Sequence, residues 1–176
     1  MKSILTLSIL FLFCSNSANL FAQNNSNCEC SECSQFDFWV GKWNAAWQDS
    51  SGKSYMGKNI INKILDGCVI AENFDGNPGI NFTGKSFSVY DRKQNVWKQT
   101  WVDSQGGYML FTGGMKGNKM ILSREVESKK GSIVQRMVFY NITDKSFDWN
   151  WEASIDYGKN WQLNWQIHYT RIGQSN

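Results

Sequence analysis

The chain has 176 residues with 18 basic and 15 acidic side chains, enough for one domain of ordinary size at a net charge of +3. So weak a charge excludes the footprint of a nucleic-acid binder or of a protein held on an anionic membrane. Nine Trp, eleven Phe and six Tyr mean that a few large rings fill much of the core, and one Pro leaves turns to Gly, Asn and Asp.

Residues 1–22 read as a secretory signal peptide. Met1-Lys2 gives a positive start, Ile4 to Phe13 an apolar core too short to span a bilayer, and Ala22 a small residue for cleavage, with Ala18 as the alternative. Removal takes away one Lys and no acid, leaving 17 basic and 15 acidic residues. The mature protein is expected to be periplasmic or secreted, without stable membrane insertion. Residues 23–34 are expected to be a flexible arm carrying Cys28, Cys30 and Cys33, and Cys68 lies in the body. In an oxidising compartment these four read as two disulfides. Cys28 and Cys30 are too close to pair with each other, so one of them is expected to join Cys68. The competing reading, a tetrahedral thiolate metal site, loses ground because exported thiols oxidise and no His lies nearby.

The body, residues 35–173, opens with an apolar turn at Gln35 to Val40 and then alternates as strands do, with turn signals every ~8–12 residues. Strands are expected at Trp43 to Gln48, Tyr55 to Leu65, Cys68 to Phe74, Lys85 to Asp91 and Val96 to Asp103. They continue at Tyr108 to Thr112, Lys119 to Val126, Ile133 to Tyr140, Phe147 to Ser154 and Trp161 to Arg171. About ten strands joined by short loops predict an all-β fold, an up-and-down antiparallel barrel with a short N-terminal capping turn. Closure also removes the edges that so many aromatic strands would otherwise expose.

Gly41-Lys42-Trp43, following the apolar turn, resembles the opening motif of lipocalins and their calycin relatives. That resemblance implies that Trp43 closes one end of the barrel and that a basic residue of the last strand, Arg171, packs over it. Gly41, Trp43 and Arg171 are accordingly structural. Phe36-Asp37-Phe38-Trp39, Ile64-Leu65-Asp66-Gly67-Cys68, Gly84-Lys85-Ser86-Phe87 and Trp97 to Ser104 are similar to an uncharacterised bacterial family of lipocalin-like barrels. The likeness bears on fold and implies no activity.

Ser154 to Trp161 resembles an Asp-box, a hairpin turn in which Ser and Asp bond the turn's own backbone and Trp packs beneath. One copy implies a stable turn and no glycosidase chemistry. His168 is the single histidine, and a haem- or chromophore-binding barrel using it is the alternative to a simple carrier. If Trp161, Leu163, Trp165, Ile167, Tyr169 and Arg171 face inward, alternation turns His168 outward. Polar residues in step with buried rings are the better leads for ligand binding: Asn59, Glu72, Gln99, Trp101, Arg136 and Glu152. An interior charge needs a partner or a ligand, and Arg136 with Glu72 or Glu152 is the pairing expected.

No nucleophile–base pair, phosphate loop or metal triad is visible, so an enzyme is disfavoured. The expectation is an exported barrel holding a small lipophilic molecule in an aromatic-lined cavity. A barrel filled by its own side chains, acting as a structural or interaction module, is the other alternative.

Overall fold

The structure, a computed structural model, describes residues 28–129 and 131–173. The expected signal peptide and cleavage site, and residues 23–27, lie outside the described residues. Ten antiparallel strands make a closed barrel: β1 (Gly41–Gln48), β2 (Ser54–Ile64), β3 (Val69–Asp75), β4 (Thr83–Asp91), β5 (Val96–Asp103), β6 (Tyr108–Lys116), β7 (Lys119–Ser128), β8 (Gly131–Tyr140), β9 (Ser146–Ser154) and β10 (Gln162–Arg171). Each pairs with its neighbours in sequence, and β1 closes the ring on β10. The fold is all-β, with two single-turn 3-10 segments as the helical content of the described residues.

Period-two alternation builds the wall. On β1, Trp43, Ala45 and Trp47 are buried while Lys42 and Gln48 face solvent. Strand β6 runs four residues beyond the expected end at Thr112. Gly113 and Gly114 look like breakers, but Gly113 pairs with Leu122 where a Cβ would overlap the Ile121 carbonyl oxygen. The missing side chain permits the close approach that keeps the ladder going.

One end of the barrel is plugged. The 3-10 turns Glu32–Ser34 and Asp37–Trp39 lay Phe36, Phe38 and Trp39 across the opening. Phe36 meets Trp97 and Phe139 edge to face, at centroid distances of 4.9 and 5.6 Å. Trp43 Nε1 donates to the Trp39 carbonyl at 2.8 Å. The Arg171 guanidinium lies 4.1 Å from the Trp43 ring centroid and donates to the carbonyls of Val40, Phe38 and Asp144. Gly41, at φ 140°, sits directly beneath that guanidinium, where a Cβ would overlap Nη1. The Gly-x-Trp spacing therefore has a steric cause: the indole needs the arginine above it, and the arginine needs the glycine.

Two disulfides staple the plug. Cys28 is bonded to Cys68 at the β2–β3 turn, as one of the two candidates was expected to be, and Cys30 is bonded to Cys33. Residues 28–34 are thus held against the plugged end.

The inward row expected on the last strand is interrupted. Leu163 pairs with Glu152 and Trp165 with Trp151, so Asn164 is an extra residue in a β-bulge. The bulge resets the alternation: Trp165, Ile167 and Tyr169 face in, while Leu163 is half exposed outside. Trp161, ahead of β10, packs under Arg136 instead. The Ser154 to Trp161 turn itself forms as its residues imply. Ser154 Oγ donates to Asp156 Oδ1, Asp156 accepts from the Asn160 backbone, and Trp161 Nε1 donates to the Gly158 carbonyl.

Candidate functional site

Above the plug the barrel is hollow. A cavity of about 340 Å³ occupies its upper half, floored by Trp39 and Phe139 and walled by Phe74, Trp101, Phe111, Trp149, Trp151 and Trp165. The walls are T-shaped or tilted aromatic pairs, such as Trp149 on Trp165 at 5.8 Å and Phe111 on Trp151 at 5.7 Å. Phe82, from the loop before β4, stacks on Trp101 at 6.2 Å and lies over the end opposite the plug. Gly84 makes room for this wall, because a Cβ there would overlap the Trp101 ring.

Within this apolar box stand a few polar groups. Glu72, on β3, is buried; its Oε1 accepts from Asn59 Nδ2 at 2.7 Å and its Oε2 from Ser86 Oγ at 2.6 Å. Burial pushes the carboxyl up to about 7, against the two hydrogen bonds that favour the anion. Tyr169 lines the same wall, and burial followed by the Glu72 charge holds its phenol above the ordinary range. Arg124 on β7 also faces the cavity, 5.6 Å from the Phe111 ring centroid, its Nε donating to Gln135 Oε1 at 2.8 Å. Desolvation lowers the pKa of this guanidinium. Among the described residues three buried polar atoms lack a hydrogen-bond partner: Trp39 Nε1, Asn59 Oδ1 and Gln99 Oε1.

The six candidates for ligand contact fall in three places. Glu72 and Trp101 line the cavity. Asn59 is buried behind Glu72 and holds it, and Gln99 is buried in the β5 row with its Nε2 donating to Ser88 at 2.8 Å. Arg136 and Glu152 are on the outer face, where they form the expected ion pair at 2.6 Å. Arg136 there stacks 3.6 Å from the Trp161 ring centroid. The polar groups that do share the cavity with Glu72, Arg124 and Gln135, were not among the candidates. Alternation held the signal: Arg124 is in step with buried Met120 and Leu122, and Gln135 with Met137 and Phe139.

His168 is outside, its Nδ1 at 2.7 Å from Asp148 Oδ1 on β9, while its neighbours Ile167 and Tyr169 point in. An iron held by this imidazole inside the barrel does not fit that placement. Among the described residues no group of three or more His, Cys, Asp or Glu side chains is arranged to hold a metal.

The geometry defines a closed antiparallel barrel with an aromatic chamber that carries one buried acid and one cation. No protein-family model matches the chain, and no curated protein matches it. Among solved structures, a redesigned beta barrel is similar at 10% identity and a TM-score of 0.43, over 82% of this chain and 100% of that one.

Proposed function

We propose that the protein is an exported, lipocalin-like carrier that reversibly binds a small, largely apolar molecule in the barrel. The observation that carries this reading is the cavity itself. A folded interior normally closes to crystal-like density, and an aromatic void of about 340 Å³ forfeits dispersion contacts that an occupant would restore. Its volume falls at the lower end of the ~300–1,000 Å³ common for ligand sites, and a few polar groups in an apolar lining match their composition. Two disulfides support an oxidising compartment, and the Gly41-x-Trp43 and Arg171 cap supports the lipocalin-like assignment. Among the described residues no helix is long and apolar enough to cross a membrane.

The test uses aminoanthracene, a neutral, flat fluorophore. Saturable 1:1 binding with a blue shift and quenching of Trp emission is expected, and Met137→Trp, which fills the chamber, should abolish it. A protein that neither binds this probe nor yields any co-purified small molecule in native mass spectrometry is not a carrier of this kind.

A further inference from the structure

We infer that the ligand is an amphipathic carboxylate whose anionic head is held by Arg124, with Gln135 fixing the guanidinium and the aromatic walls taking the apolar body. This rests on the carrier reading above and names the chemical class that the same chamber selects.

The charge balance of the interior carries the argument. The other arginines described above are answered by the protein: Arg136 pairs with Glu152, and Arg171 is spent on two carbonyls of the plug and on the Asp144 carbonyl of the β8–β9 loop. Arg124 is different. It is partly buried and lines the chamber, and among the described residues no carboxylate pairs with it. Its side-chain hydrogen bond runs from Nε to the amide oxygen of Gln135, a neutral group. That bond fixes the plane of the guanidinium and leaves the Nη side of the fork for another acceptor. The Phe111 ring centroid lies 5.6 Å from the guanidinium carbon, within cation–π range. Withdrawing a cation from water is costly unless it is paired and hydrogen-bonded, and a pairing carboxylate is what the described residues do not supply.

The acid of the chamber is not that group. Both Glu72 oxygens are engaged by Asn59 and Ser86, and Arg124 is not among the groups that set its protonation. A planar carboxylate matches the geometry of an arginine fork, which a hydroxyl or an amine does not. Size narrows the body. At ~30 Å³ for each water-sized unit, 340 Å³ admits roughly eleven non-hydrogen units. A medium-chain acid fits this volume, and a long-chain one would have to protrude past Phe82.

Competition against bound aminoanthracene tests the inference with two probes of one body, decanoate and decanol, at low salt near pH 6. Decanoate is expected to bind about tenfold or more tightly than decanol, as a charge-assisted hydrogen bond predicts. In Arg124→Gln decanoate should lose about that factor while decanol stays within about twofold; Arg124→Lys should keep part of the preference. Decanol binding to Arg124→Gln also reports that the variant is folded, and the wild-type comparison decides the matter even if it is not. Equal affinity for the two probes, or a loss in Arg124→Gln shared equally by both, overturns the carboxylate inference and leaves the carrier reading standing. Failure of aminoanthracene, decanol and decanoate alike to bind overturns both.

Discussion

Arg171 lies 4.1 Å above the ring of Trp43 and ties the plug carbonyls of Phe38 and Val40 to the Asp144 carbonyl of the β8–β9 loop, so the last residue of β10 fastens the turn that precedes β1. Charge-assisted bonds of this kind are worth ~1.5–3 kcal/mol each when buried, less at a partly exposed site. Arg171→Met is expected to cost about 2–4 kcal/mol in urea unfolding. Arg171→Lys should recover little, because an ammonium cannot reach Phe38, Val40 and Asp144 together. Gly41→Ala should be comparably damaging, since its methyl would displace the same guanidinium. Unfolding midpoints unchanged in Arg171→Met and Gly41→Ala would show that the plug does not depend on this contact.

Glu72 makes stability depend on pH. The unfolded chain releases this proton near 4.5 and the folded chain near 7, so folding takes up a proton between those values. Stability contributed by this group therefore falls as pH rises across that window and stays low above it. At ~1.4 kcal/mol per pKa unit the span is on the order of 3 kcal/mol. Glu72→Gln, which keeps an acceptor and adds a donor, should flatten the profile and be the more stable protein above about pH 7. A wild-type curve with no decline between pH 5 and 7 would contradict this.

The same titration should be read out by the chamber. Glu72, Arg124 and Tyr169 are the ionisable groups that line it, the phenol is held neutral, and Asn59 and Ser86 carry no charge. Ionising Glu72 turns a positive chamber into a neutral one. Decanoate is expected to bind more weakly at pH 8 than at pH 6, with decanol unaffected, and Glu72→Gln should abolish the difference. Calorimetric titration at the two pH values settles it.

The disulfides should contribute unequally. Cys28–Cys68 closes a loop with a sequence separation of 40, whereas Cys30–Cys33 spans a separation of 3. In the loop-entropy picture the first stabilises by about 4 kcal/mol and the second by about 2 kcal/mol. Paired Cys→Ala variants compared under non-reducing conditions test the ratio; a larger loss from the Cys30–Cys33 pair would reverse the assignment.

Arg136 and Glu152 offer the matching control. Their ion pair is partly exposed on the outer face, so Glu152→Gln should cost about 1 kcal/mol or less and leave probe affinity unchanged. A large change in binding would mean that this pair reaches the ligand.

The strands were legible because inward and outward residues alternate so regularly along most of them. The cap was legible too, since Gly41, Trp43 and Arg171 form a motif whose parts constrain one another. The chamber was only half legible. Glu72 and Trp101 stand out in the sequence, whereas Arg136 and Glu152 sit next to buried rings whose parity is opposite to their own. Met137 with Phe139, and Trp149 with Trp151, claim the inward positions and push both charges outside. Arg124 is masked in the sequence because its strand ends in the charged run Arg124-Glu125 to Glu127, which reads as a solvated face. The bulge at Asn164 was not readable at all: nothing in Leu163-Asn164-Trp165 departs from plain alternation, and only pairing with β9 reveals the extra residue.

The plug has one more consequence. With Phe36, Trp39 and Trp43 wedged into one end and stapled there through Cys28 and Cys68, the barrel is a cul-de-sac and not a corridor. If the chamber holds a ligand as proposed, that ligand would have to leave by the way it came, past Phe82 and the loop that carries it. Uptake and release by such a carrier would share a single gatekeeper, and a partner receiving the ligand would have to approach that rim.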